Sequence, residues 1–373
     1  MSKPTKVLVA MSGGVDSSAC ACLLKKQGYE CMGVTMKLVS NELPVVGKEE
    51  PNLKSCCSLD DVEDARSVAR KLDIPFYVFN FTDDFEEKVI GPFVRDYQEG
   101  RTPNPCIACN RYLKFGHLYR RAKELGYEMI ATGHYARIGY VERTGRYCLK
   151  KAKDPAKDQS YVLYQLTQDE LAHTLFPLGE YHKDEIRKIA AEEGMVNAAK
   201  HDSQDICFIP DGDYAGFLER YLDNEQAEGL KPGAFVDREG NVLGTHKGIC
   251  HYTIGQRKGL GIAGTAPYYV CEIDTEKNRI VLGSNEELFK RRLVADEVNW
   301  ISIDPEIGEE VRCAAKIRYR HKEAPAVARR LADGKIEVVF DEPQRAITRG
   351  QAVVLYDGDL VLGGGVICGS PET

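Results

Sequence analysis

Read as a string of apolar and polar positions, the chain has two textures. The first begins at Lys6–Ala10 (KVLVA), an unbroken apolar run rich in valine, the pattern of a parallel strand buried on both faces. A helical pattern over 16–27 follows and stops at Gly28. Strand-like runs recur at 31–38, 76–79 and 129–131, with helical patterns between them. Ser58-Leu59-Asp60-Asp61 has capping-box spacing and predicts a helix running to about Leu72, with Ala65, Val68, Ala69 and Leu72 on one face. Strands alternating with helices predict a doubly wound α/β domain. From Lys231 onward the pattern shortens to apolar alternations broken by Gly and Asp: GAFVDREGNVLGTH, RIVLGSN, KIEVVFDEP and QAVVLYDGDLVLGGGVI. These predict small β modules. The changes of texture divide the chain into 1–212, 213–287 and 288–373, and no internal repeat or low-complexity tract interrupts it.

Composition narrows the class. With 373 residues, 43% apolar and 29% charged, the chain can bury cores in two or three domains without staples. The start, MSKPTKVLVAMSGG, lacks the apolar core of a secretory signal, and no stretch reaches the length of a membrane span, so no membrane partner is expected. Thirteen cysteines, an odd number without a secretory signal, read as mostly reduced thiols of a cytoplasmic protein rather than as a disulfide scaffold. The net charge of −7 would by itself argue against nucleic acid, but local Arg and Lys clusters decide phosphate binding, so composition leaves that question open.

The first chemical motif is AMSGGVDSS: Ala10, Met11, Ser12, Gly13, Gly14, Val15, Asp16, Ser17 and Ser18, between the first strand and the first helix. Backbone N–H groups and the helix dipole favour an anion there, and the glycines let the backbone approach a phosphate. The serines offer hydroxyls, and Asp16 offers a carboxylate for Mg²⁺. A Walker loop would need Gly-Lys-Ser/Thr, and this stretch has no lysine. A bare SGG is usually only a tight turn, but strand, SGGxDS and helix together resemble the PP-loop of ATP pyrophosphatases. That resemblance implies ATP with Mg²⁺, cleaved to AMP and pyrophosphate as a substrate is adenylated. Residues 259–264 also fit GxGxxG, but Gln256-Arg257-Lys258 precedes them in place of a strand, and they read as a basic loop.

NPCIACN (104–110) sets Cys106 and Cys109 between a proline turn and a helix. From these residues alone a metal clip, a redox pair, a nucleophile and simple burial all stay open. The wider set discriminates. RTPNPCIACNRYLKFG (101–116), ATGHYAR (131–137), KDQSYVLY (157–164), DSQDICFIP (202–210), YTIGQRKGLG (252–261) and LGGGVI (362–367) occur in order. Together they resemble the tRNA-specific 2-thiouridylase family over essentially the whole chain. The resemblance implies a Rossmann-like PP-loop domain, a small central module and a C-terminal β-barrel that grips tRNA. It implies that ATP adenylates O2 of the wobble uridine, U34, that sulfur attacks C2, and that tRNAs for Lys, Glu and Gln are the substrates. A cysteine desulfurase or a relay protein would donate the sulfur.

In the family pattern Cys207 is the persulfide carrier, and Cys109 releases its sulfur by forming a disulfide with it; a persulfide delivers sulfur only when a second thiolate takes over the bond left behind. Cys20, Cys22, Cys31, Cys148, Cys250, Cys271, Cys313 and Cys368 lie in apolar contexts where core packing is the better reading, while the polar flanks of Cys109 and Cys207 make that reading a minority one for them. Many family members carry Asp where this chain has Cys106. Members with C-x-x-C resemble iron-sulfur-dependent tRNA thiolases, which leads to the expectation that Cys106, Cys109 and Cys207 hold an iron-sulfur cluster. A structural zinc site would want a second paired motif.

The same resemblance puts Met36 and Gly133 at adenine and ribose. It puts Asn104, Pro105, Cys106 and His134 near the target base, and Lys157, Asp158, Gln159, Arg257, Lys258, Arg318, Tyr319 and Gln351 against tRNA. Ordinary core packing for Met36, a hydrogen-bonded structural role for His134 and a solvated basic face for Arg318–Lys322 are the bland alternatives. Two rival classes remain: a PP-loop amide-forming ligase with structural cysteines, and a noncatalytic RNA-binding protein with a relic nucleotide site.

Overall fold

A computed structural model describes residues 4–40, 58–142, 144–198, 200, 206–222, 227–264 and 266–370. Strands β1 (Lys6–Ala10), β2 (Glu30–Lys37), β3 (Phe76–Asn80) and β4 (Met129–Ala131) sit within one register step of the sequence expectation at most ends. The hairpin β5 (Ala136–Val141) and β6 (Arg146–Lys151) precedes the short β7 (Thr174–Leu175). The sheet order is β3-β2-β1-β4-β7, every pair parallel. The chain therefore winds outward from β1 to β3 and then returns to the other side of β1, which makes the gap between β1 and β4 the topological switch point.

Helix α1 (Val15–Lys26) and helix α2 (Leu59–Lys71) cover one face. The Ser58 hydroxyl accepts from the Asp61 amide at 3.2 Å and donates to the Asp61 carboxylate at 2.7 Å, an N-cap of the kind worth about 1 kcal/mol. Ala65, Val68 and Ala69 are buried as their spacing predicts. Two long helical runs, 82–98 and 105–124, cover more of the domain; each contains a widened stretch, Glu86–Ile90 and Cys109–His117, with i→i+5 geometry of the kind that recurs at functional sites.

The central module is a four-stranded sheet of β8 (Gly233–Val236), β9 (Val242–His246), β10 (Tyr269–Asp274) and β11 (Arg279–Gly283) around Phe235, Tyr252, Val270 and Ile280. Residues 258–264 have no regular structure, as expected of a loop rather than a dinucleotide site. The last strands are β12 (Phe289–Trp300), β13 (Glu310–Lys316), β14 (Ala324–Arg330), β15 (Ile336–Arg345), β16 (Ala352–Asp357) and β17 (Leu360–Gly369). They form a sheet in the order β12-β15-β14-β13-β16-β17, and the β12–β17 pairing closes it into an antiparallel barrel.

The β5–β6 hairpin does not join the parallel sheet. It pairs with β17 through Leu360 opposite Lys150 and Val361 opposite Leu149, so the barrel's hydrogen-bonded sheet continues into the catalytic domain. One apolar cluster spans that join, with Leu8 and Phe115 on one side and Val354, Tyr356 and Val361 on the other.

Candidate active site

The motif after β1 lies at the switch point. Gly13 has φ +76°, and a Cβ there would fall 2.2 Å from the Asp61 carbonyl oxygen; only glycine lets the loop turn this tightly under α2. The Met11 amide donates to Val34 O at 2.8 Å and Met11 O accepts from Thr35 Oγ1 at 2.6 Å, which fixes the loop to β2. Ser12 is exposed, and its amide donates to Ser17 Oγ at 3.2 Å. Ser18 is sealed from solvent, so its hydroxyl faces the interior and not a ligand. Ala10 and Val15 are packing positions flanking the loop.

Gly133 follows β4, and a Cβ on it would lie 2.8 Å from the Ser17 amide nitrogen. Its role in this structure is close approach of the ATGH loop to the start of α1. Met36 packs at the boundary of two apolar clusters, one shared with the barrel and one around Cys109, so the core reading of this residue holds in part.

Asp16 was expected to hold Mg²⁺. In this structure both its oxygens are engaged: Oδ1 accepts from Lys183 Nζ at 2.7 Å and from Tyr135 Oη at 2.8 Å, and Oδ2 from Lys183 Nζ at 2.8 Å. Lys183 went unnoticed in the sequence. It is 6% exposed and begins the helix Lys183–Glu192, where its charge opposes the helix dipole. A lysine in the first turn of a helix, against the usual preference for acidic residues there, is the signal that could have found it. Asn197 and Lys200 were also missed: both donate to Gly13 O, at 2.9 and 3.3 Å.

The thiol segment starts at a helix cap. Asn104 Oδ1 accepts from the Cys106 amide at 3.1 Å and Pro105 occupies the first turn. Cys106 is exposed, on the first turn of its helix; its thiol pKa is raised, chiefly by desolvation and opposed by the Lys114 charge. The barrel faces it: Tyr319, whose hydroxyl donates to Asp158 O at 3.3 Å, is raised by burial first and by the charges of Asp158 and Cys106 next.

Cys109 turns the other way. It is 7% exposed and packs in an apolar cluster with Phe85, Leu113 and Phe208, which corrects the expectation drawn from its polar flanks. Cys207 packs against the same cluster, half-buried. The fold thus brings this distant pair onto one cluster while Cys106 is exposed. Among the described residues no three His, Cys, Asp or Glu side chains converge to hold a metal ion. The three thiols therefore do not form the cluster cradle expected of them. Of the other cysteines, Cys20, Cys22, Cys31, Cys148, Cys250 and Cys313 are buried as expected; Cys271 and Cys368, on β10 and β17, are only half-buried. Cys56 and Cys57, and residues 202–205 of the DSQDICFIP stretch, lie outside the described residues.

His134 is 8% exposed. Its Nδ1 lies 2.7 Å from Thr132 Oγ1 and its Nε2 3.5 Å from Lys114 Nζ. An ammonium can only donate, so Nε2 accepts and Nδ1 carries the proton to Thr132. Burial first, and Lys114 second, push its pKa well below 6.5, so the imidazole is neutral.

Several residues expected against tRNA make hydrogen bonds within the protein. Asp158 Oδ1 accepts from the Ala152 amide at 2.9 Å, and Gln159 makes two 2.9 Å bonds with the Tyr135 backbone. Arg318 Nη2 donates to Ala346 O at 2.9 Å, to Thr348 Oγ1 at 2.6 Å and to Ile254 O at 3.3 Å, joining barrel to central module. Gln351 Nε2 donates to Thr102 O at 2.7 Å, directly before NPCIACN. Lys157 is half-buried, while Arg257, Lys258 and Arg320 are exposed.

The comparisons agree with this architecture. A model described as the tRNA methyl transferase HUP domain matches residues 5–211, one described as the tRNA methyl transferase PRC-barrel domain matches 215–284, and one described as the aminomethyltransferase beta-barrel domain matches 290–367. The tRNA-specific 2-thiouridylase MnmA of Clostridioides difficile strain 630 is 54% identical over 362 residues, covering 97% of this chain and 98% of that protein. Its counterpart in Acetivibrio thermocellus is 53% identical over 363 residues, covering 97% of this chain and 99% of that protein. With a PP-loop motif at the switch point and near-complete coverage by such relatives, the chain belongs to the tRNA-specific 2-thiouridylase family.

Proposed function

We propose that this protein uses ATP to replace the C2 oxygen of the wobble uridine, U34, of tRNA with sulfur, giving 2-thiouridine, AMP and pyrophosphate. The observation that carries the reading is the placement of Cys109 and Cys207 on one apolar cluster, in a chain 54% identical to a named 2-thiouridylase. ATP lies along the Ser12–Ser17 loop, and the uridine lies beside the exposed Cys106. Adenylation turns the uridine oxygen into a good leaving group. The terminal sulfur of a Cys207 persulfide attacks C2 and AMP departs. The Cys109 thiolate then attacks the Cys207 sulfur; the S–S bond breaks, its electrons stay on the sulfur bound to C2, and a Cys109–Cys207 disulfide remains for an external dithiol to reduce.

Magnesium would neutralise the pyrophosphate leaving group, and Asp16 is the hard oxygen donor on this loop that fits it. Lys183, which meets both Asp16 oxygens, would lie beside the ion and the phosphates. An iron-sulfur cluster on Cys106, Cys109 and Cys207 does not fit the described arrangement, and no step is assigned to it. Neutral His134, accepting from Lys114, is suited to orient the base or the ammonium. The tRNAs are those for Lys, Glu and Gln, and the sulfur comes from a cysteine desulfurase or a relay protein.

The test is tRNA-dependent pyrophosphate release, read with mass spectrometry of wobble nucleosides. The wild type should give 2-thiouridine, and Cys109→Ser and Cys207→Ser should give none. Turnover of ATP triggered by a metabolite without tRNA would instead indicate an amide-forming ligase, and tRNA binding without pyrophosphate release a noncatalytic RNA-binding protein.

A further inference from the structure

The turn 195–200, between the helix Lys183–Glu192 and the segment bearing Cys207, carries two side chains whose bonds go to one peptide group of the nucleotide loop. Asn197 is 2% exposed. One of its Nδ2 protons goes to Gly13 O at 2.9 Å and the other to Ser18 Oγ at 2.8 Å, while its Oδ1 is buried with no hydrogen-bond partner among the described residues. A side chain kept at the cost of an unsatisfied acceptor is kept for its donors. Lys200 Nζ adds a 3.3 Å bond to the same Gly13 oxygen, and is itself held by Asp61 Oδ1 at 2.6 Å and Asp64 Oδ2 at 2.8 Å in the first part of α2.

A trans peptide is planar, with its C=O and the following N–H on opposite sides. Drawing Gly13 O toward the 195–200 turn therefore aims the Gly14 N–H away from it. At Gly13, with φ +76° and no Cβ to restrict it, the peptide could otherwise rotate. The orientation of an anion-binding N–H at the mouth of α1 is thus set from outside the loop, by residues that do not reach the anion.

We propose that Asn197, assisted by Lys200, is a positioning residue for ATP: it locks the Gly13–Gly14 peptide with its N–H toward the phosphates. The inference rests on the proposal that this loop binds ATP phosphates.

The experiment measures tRNA-dependent pyrophosphate release against ATP concentration with full-length Asn197→Leu, Lys200→Met and Lys200→Arg. Asn197→Leu nearly preserves volume and adds no charge. It should raise KM for ATP about tenfold, as expected for the loss of a buried hydrogen bond made equally in ground and transition states, with kcat within about threefold and tRNA affinity unchanged. Lys200→Met should raise KM about threefold, and Lys200→Arg, which keeps a donor and a charge, should restore most of it. If Asn197→Leu does not fold, the two Lys200 variants decide the matter. An unchanged KM in folded variants, or a fall in kcat alone, overturns the positioning role. Failure of the wild type to release pyrophosphate with ATP and tRNA would overturn the underlying ATP reading instead, so the two failures are distinguishable.

Discussion

At the scale of single residues, the contact between Asp16 and Lys183 bears most directly on chemistry. An ammonium with only 8% of its side chain exposed is tolerable because a carboxylate meets it with two bonds under 3 Å. Asp16→Asn should abolish pyrophosphate release and also lower the stability of the ligand-free protein by roughly 3 kcal/mol, since removing one partner leaves a buried charge. Urea unfolding checks this, and the Asp16→Asn/Lys183→Met double variant should lose less than the sum of the singles. His134 supplies a pH prediction. Its folded pKa lies well below its ordinary 6.5, so the unfolded chain binds the proton more readily. Stability is then undiminished above pH 6.5 and falls as the pH drops below it. His246, His251 and His321 are also lowered, chiefly by burial, and add to the same slope. Thermal unfolding from pH 7.5 to 5.5 should show a smaller decline in His134→Gln than in the wild type; an identical decline would remove His134 from the account.

At the scale of elements, the segment leading into the helix that carries Cys106 and Cys109 is held by both other domains. Thr102 N donates to Arg349 O at 2.9 Å, Gln351 reaches Thr102 O, and the Thr102 and Thr253 hydroxyls meet. Arg318 joins the same region from the barrel. Arg318→Ala should therefore lower Tm through lost interdomain bonds, whereas the exposed Arg320→Ala should leave Tm unchanged and reduce the salt slope of tRNA binding by about one. Equal salt slopes in wild type and Arg320→Ala would mean that Arg320 makes no phosphate contact.

The sequence made some of this legible and not the rest. KVLVA, SGGVDS and the Ser58 cap encode local structure, and a local pattern is enough to read them. The β5–β6 hairpin went unread because its strand partners, Leu360 and Val361, lie at the other end of the chain. Cys109 misled because its polar neighbours cap and flank a helix whose inward side it occupies. Gln351 and Arg318 misled because a polar side chain that binds backbone carbonyls has the same sequence signature as one that binds phosphate.

At the scale of the molecule, a parallel sheet presents the nucleotide loop, the barrel ties down the Thr102 segment through Arg349 and Gln351, and the apolar cluster around Phe208 gathers Cys109 and Cys207. The central claim is that sulfur passes through this thiol pair. It is tested most directly by a single turnover of iron-free protein persulfidated at Cys207, with ATP, magnesium and tRNA, followed by mass spectrometry of the cysteine peptides and of the wobble nucleoside. The account predicts 2-thiouridine in step with a Cys109–Cys207 disulfide, with Cys106 still reduced. No thiolation until iron is restored, with Cys109 and Cys207 remaining unpaired throughout, would contradict it.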